Sequence, residues 1–183
     1  AYGGGGLLGA GAAAFGVAFA QGLHARNQIG VRRHAAPYAD GLYGARQQGT
    51  SERFAMLGDS LAAGLGAQEP RNTPAAMIAQ GISNVLDRPV RLMNAATVGA
   101  RSSDLPAQVD RVLHMRPQIA VIIIGANDVT HVGRPQAAVR HLEQAVRRLR
   151  EVGCEVVVGT CPDVGSVRPI PQPLRWVARR LSR

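Results

Sequence analysis

The chain has 183 residues, 46% hydrophobic and 18% charged, a composition that suits one globular domain with its own core and excludes a disordered or fibrous chain. Its formal charge of +9 and pI of about 11.3 come entirely from arginine, because lysine does not occur. Such a balance suits an anionic surface, yet aromatics make up only 4%, the arginines are spread along helical patterns, and no nucleic-acid motif is present. The arginines therefore read as a solvated basic face, with no nucleic acid as partner.

From Ala1 to Leu23 there is no charged residue, and residues 7–20 are a run of Leu, Ala, Gly, Phe and Val. A bilayer span needs about 20 apolar residues, so residues 1–33 are expected to be a signal or membrane anchor with a basic flank of His24, Arg26, Arg32 and Arg33. That flank taken alone would put the domain on the cytoplasmic side. Residues 34–52 carry Pro37, several glycines and no apolar period, and read as a linker. The chain opens at Ala1 without methionine and ends at Arg183 in a helical pattern, so further sequence is expected at both ends.

From residue 53 onward short apolar runs alternate with helical patterns. Strands are expected at 54–57, 90–95, 119–124 and 155–160, and helices at 73–86, 103–115 and 135–152. This alternation predicts an α/β domain built on a parallel sheet with right-handed crossovers. The run Ile119-Ala-Val-Ile-Ile-Ile124 lacks polar alternation, as a central strand covered on both faces should. The helix over 135–152 places Val139, Leu142, Val146 and Leu149 on one stripe, which marks it as amphipathic and covering. Cys154 and Cys161 flank the last strand; about 23 Å of extended chain separates them, too far for a disulfide, and no metal-ligand spacing accompanies them.

In open parallel sheets the working groups collect at the carboxyl ends of strands. The first strand ends in Gly58-Asp59-Ser60-Leu61, where a glycine permits a sharp turn and a serine is placed as a hydrolase nucleophile would be. In isolation Asp59 or Ser60 would read as a helix cap. The second strand ends in Asn94-Ala-Ala-Thr-Val-Gly99; Gly99, ahead of a helix capped by Ser102 or Ser103, can offer its N–H to an oxyanion. The third ends in Gly125-Ala-Asn127-Asp128, and the Asn127 amide can donate to a developing negative charge, although an Asn-Asp pair also forms turns.

Together, in this order, the Gly-Asp-Ser, Asn-x-x-x-x-Gly and Gly-x-Asn-Asp blocks resemble those of the SGNH hydrolases, also called GDSL esterases and lipases. The resemblance covers about Arg53 to the C-terminus. Ala96 departs from the family, which often has glycine there. The resemblance implies a flavodoxin-like three-layer α/β/α fold over residues 53–183, with its last strand and helix missing. It implies Ser60 as nucleophile, and Ser60 N–H, Gly99 N–H and the Asn127 side chain as oxyanion hole, with no metal or cofactor. The stretch Gly159-Thr-Cys-Pro-Asp-Val-Gly165 looks like a loop of envelope-associated bacterial members, which points to an exported or membrane-anchored protein of the cell envelope.

The family's closing Asp-x-x-His block supplies base and orienting carboxylate, and no histidine follows His141. Asp128-Val-Thr-His131 has the same spacing but falls within the oxyanion block, so His131 is not expected to be the base. His24 and His34 precede the domain, and His114 and His141 fall in helices. The expected activity is hydrolysis of a lipid ester, an acetylated cell-wall sugar or an acyl thioester through an acyl-enzyme on Ser60, with the chain ending at Arg183 expected to be inactive for want of its base. The alternative is a non-catalytic envelope-binding module on the same fold.

Overall fold

The computed structural model describes residues 35–159 except 45, 47 and 131–134. The N-terminal apolar segment, His24, His34, His131, Cys161 and the Pro-rich stretch after it lie outside the described residues. Five strands, β1 (Gly41–Tyr43), β2 (Glu52–Gly58), β3 (Val90–Asn94), β4 (Ile119–Ile123) and β5 (Glu155–Gly159), form one sheet in the order β1-β3-β2-β4-β5. β2 is parallel to both β3 and β4, and β4 to β5, while β1 runs antiparallel along β3. The four strands expected from the sequence are all present within a residue or two of their predicted ends.

β2 alternates its side chains between two cores. Ala55 and Leu57, with Ala120 and Ile122 of β4, face helices α3 (Leu105–Leu113) and α5 (Pro135–Glu151). Phe54 and Met56, with Leu92 and Val121, face α1 (Ser60–Ala63) and α2 (Pro74–Leu86). Helices on both faces of a mostly parallel sheet make the three layers of an α/β/α fold. The chain moves from β2 outward to β3, then crosses back to β4 on the other side of β2. The carboxyl ends of β2 and β4 therefore flank the switch in winding direction, where such sheets open a crevice.

Local chemistry sets the helix ends. Thr73 caps α2, its hydroxyl accepting from Ala76 N–H at 3.2 Å, and Pro74 occupies the first turn, where a missing N–H costs nothing. On α5, Ala145 and Leu149 are buried and Leu142 and Val146 partly so, but Val139 is half exposed, one turn beyond the edge of the core.

The stretch 34–52 holds more structure than its composition suggested. β1 is three residues long, too short to show a period, yet it extends the sheet. Ala39 is buried, Tyr43 Oη donates to Ala39 O at 2.6 Å, and Asn94 N–H donates to Asp40 Oδ1 at 2.7 Å. Replacing Asp40 by alanine leaves that strand-end N–H without its acceptor. A loss of about 1–3 kcal/mol is expected, measurable as a lower urea midpoint; an unchanged midpoint would mean that the segment contributes nothing to the folded domain.

Candidate active site

Gly58 closes β2 with φ +137°, and a Cβ there would stand 1.9 Å from the Ile123 carbonyl oxygen. Only glycine fits both the dihedral and the approach. The turn lets Asp59 N–H donate to Ile123 O at 3.0 Å, and the chain enters α1 at once. Asp59 caps that helix, its carboxylate accepting from Leu61 N–H at 3.0 Å. Ser60, half-buried, is the first helical residue. The leading N–H groups of a helix have no acceptor within it, so the Ser60 N–H and hydroxyl both stand at the carboxyl edge of the sheet. Of the two residues offered as caps by the sequence, Asp59 takes that role, and Ser60 opens the helix just past the strand.

β3 ends in Asn94, whose side chain donates to Ala62 O of α1 at 3.1 Å and accepts from Ala96 N–H at 3.0 Å. The strand after which Gly99 follows is thus tied to the helix that carries Ser60. Thr97 N–H donates to Gly58 O at 3.1 Å, and Ala100 N–H to Thr97 O at 3.0 Å. These bonds close a turn with exposed Gly99 at its third position, φ +84°, a conformation that favours glycine.

β4 leads into α4 (Ala126–Thr130), so Asn127 and Asp128 lie in a helical turn rather than a simple reverse turn. Asn127 Nδ2 donates to Ala100 O at 2.9 Å, immediately after Gly99. Asp128 accepts from Ser102 N–H at 3.0 Å and from Ser102 Oγ at 2.9 Å. The expectation that Ser102 or Ser103 caps the following helix therefore fails. Ser102 is spent on Asp128, a charged acceptor and a stronger one, and Asp104 instead accepts from Arg101 N–H at 2.8 Å. An open cavity of about 500 Å³ lies between the 97–100 turn and Asp104, Ala107, Gln108 and Arg111. Arg111 holds the turn from that side by donating to Ala95 O and Thr97 Oγ1.

The structure thus brings the Gly99 turn into direct contact with Gly58 and with Asn127, while Ser60 starts the helix that Asn94 anchors. Sequence reasoning had given Asn94 no role beyond its block, and it missed Gln108 entirely. Cys154 is buried, and burial together with Glu155 pushes its thiol up to about 11, so it is not a thiolate at neutral pH. His114 is exposed just after α3 and His141 half-buried on α5, neither at a strand end. No group of side chains among the described residues could hold a metal ion, and no described helix is long and apolar enough to cross a membrane.

A mostly parallel sheet between two helical layers, with a serine, a glycine turn and an asparagine at successive strand ends, defines a three-layer α/β/α protein. Residues 56–183 match the model of the GDSL-like lipase/acylhydrolase family, and the chain belongs to that family. It is 40% identical over 170 residues to GDSL-like esterase Rv1075c of Mycobacterium tuberculosis (strain ATCC 25618 / H37Rv), a match that takes in 86% of this chain and 54% of the relative. The chain thus spans about half the length of that curated relative. Among solved structures, TesA aligns over 71% of this chain and 70% of its own, with TM-score 0.52 and 23% identity. A mutant of Axe2, an acetylxylan esterase of Geobacillus stearothermophilus, aligns over 74% and 70%, with TM-score 0.55 and 17% identity. These likenesses confirm the α/β fold.

Burial raises the carboxyl pKa of Asp59, the nearby Asp128 charge adds to the rise, and the Leu61 N–H opposes it. The folded state therefore binds this proton more tightly than the unfolded chain, and ionised Asp59 costs stability as pH rises through the raised value. Asp59→Asn keeps the cap without the charge. The stability of the variant relative to wild type should climb from about pH 4 upward and level off once wild-type Asp59 is ionised, in urea midpoints taken from pH 3 to 7. A difference independent of pH would contradict this.

Proposed function

We propose that the protein is a serine ester hydrolase that works through an acyl-enzyme on Ser60. The observation that carries the reading is the bonding among the strand-end blocks. The Gly99 turn is held to Gly58 through Thr97 N–H, and the Asn127 amide to the same turn through Ala100 O. Ser60 N–H, Gly99 N–H and Asn127 Nδ2 are donors of the kind that stabilise a tetrahedral oxyanion, and the amide's orientation is fixed before substrate arrives. Ser60 Oγ attacks the acyl carbon, its proton passes to a base, and the bond to the leaving alcohol or thiol breaks as that group takes the proton. Water then releases the acid. The resemblance assigns the base to the histidine of the family's closing Asp-x-x-His block, which is distinct from Asp128-Val-Thr-His131. Family membership supports an ester or thioester of a small molecule, a lipid or an acetylated sugar as substrate.

Envelope localisation belongs to the same proposal and is supported by the uncharged residues 1–23. Deleting residues 1–33 should release folded soluble protein, whereas recovery of the undeleted protein in a detergent-free wash would contradict an anchor.

In the full-length protein, Ser60→Ala should abolish both hydrolysis of nitrophenyl esters and labelling by a fluorophosphonate. Asn127→Ala should lower kcat by about 10²- to 10³-fold with little change in KM, because a lost oxyanion donor acts mainly in the transition state. Undiminished labelling of Ser60→Ala would remove Ser60 from the reaction, and an undiminished kcat would remove Asn127.

A further inference from the structure

We propose that Gln108 is a positioning residue of this site, its buried carboxamide replacing the neighbouring strand at the one residue of β2 that sets the approach to Ser60. The inference rests on the reading of Ser60 as nucleophile. β2 pairs with β3 only as far as Met56 opposite Asn94. Beyond that point β3 turns away, and its last contacts with β2 are Ala95 N–H to Met56 O and Thr97 N–H to Gly58 O. The N–H and C=O of one strand residue point to the same side, so Gly58 presents a donor and an acceptor together into the space that β3 has left. Gln108 answers both. Its Oε1 accepts from Gly58 N–H at 2.7 Å, and its Nε2 donates to Gly58 O at 2.9 Å.

The side chain is 1% exposed and reaches across from α3, 50 residues along the chain. A primary amide carries an acceptor and donors on one planar group, so it can complement a single residue of backbone from both of its ends. Leucine or methionine at 108 would pack on α3, whose buried face is otherwise Leu105, Val109 and Val112, yet could make neither bond.

What these bonds restrain is the peptide plane that joins Gly58 to Asp59. Its carbonyl is held by Gln108 and Thr97, and its N–H by Ile123 O. Ser60 follows one residue later. A rotation of that plane moves the Ser60 Cα and with it both the hydroxyl and the N–H, and displacements of about 1 Å at a reacting group cost about 10²-fold in rate. Because Gln108 also lines the cavity beside Gly99, the same side chain sets the spacing between the turn that carries Ser60 and the turn that carries Gly99.

The test uses the full-length protein and nitrophenyl butyrate, with Gln108→Leu and Gln108→Glu. Gln108→Leu should keep a native near-ultraviolet spectrum, lower kcat by about 10- to 100-fold with KM within about 2-fold, and slow fluorophosphonate labelling by a similar factor. Glutamate at this site accepts from Gly58 N–H when ionised but donates to Gly58 O only when protonated. The activity of Gln108→Glu relative to wild type should therefore rise as pH is lowered. A folded Gln108→Leu with wild-type kcat overturns the proposal, as does a reduced thermal midpoint with unaltered turnover per folded molecule, the mark of a merely structural role. Should Gln108→Leu fail to fold, a ratio of Gln108→Glu to wild type that is flat with pH overturns it equally. Hydrolysis that survives Ser60→Ala would instead unseat Ser60 and this inference with it, so the two failures are told apart by that control.

Discussion

At the carboxyl end of β2 two backbones meet with no side chain between them, since a Cβ on Gly58 would stand 1.9 Å from the Ile123 carbonyl oxygen. That contact decides where the strand stops and how the chain leaves it. With Gly58 at φ +137°, the next N–H turns to Ile123 O and the following residue begins α1. A side chain at 58 would push β2 and β4 apart at the point where the winding of the sheet reverses, which is also where Ser60 and Asn127 emerge. Where these two residues emerge is thus a property of the central strand pair.

The loops themselves are held by polar bonds that the apolar layers could not supply. Asn94 joins β3 to α1, Asp128 holds the segment after Gly99 through both the N–H and the hydroxyl of Ser102, and Asn127 reaches Ala100 O. Each bond runs between segments that hydrophobic burial leaves free to slide, because burial is not directional. Asp59 illustrates the cost of such wiring. It is buried next to another carboxylate, with the Leu61 N–H opposing the rise in its pKa, and it caps the helix that presents the serine.

Much of this was legible in the sequence. Runs such as Ile119-Ala-Val-Ile-Ile-Ile124 fitted a strand covered on both faces, and the positions of Ser60, Gly99 and Asn127 at strand ends followed from the three blocks. Other features left no readable trace. β1 has three residues, fewer than a period of alternation needs. The bond partners of Ser102 and Asn94 depend on which loops meet, which is a matter of register between distant strands. Gln108 did leave a signal, a polar residue on the same helical face as Leu105, Val109 and Val112, and a buried amide on an apolar stripe implies a backbone partner. Val139 shows the reverse. It continues an apolar stripe past the edge of the core formed by the described residues.

The spacing of these bonds along the chain bears on how the protein acquires its site. Gln108 meets Gly58 across 50 residues, Asn94 meets Asp40 across 54 and Ala62 across 32, and Asn127 meets Ala100 across 27. None belongs to a local hairpin or a single helix, and parallel pairing demands the same long closures, so each must wait for the slow, entropically costly gathering of the sheet. Helices can form early without bringing Ser60, the Gly99 turn and Asn127 together. During refolding, helical signal should therefore return ahead of these long-range bonds, which form with the closure of β2 between β3 and β4.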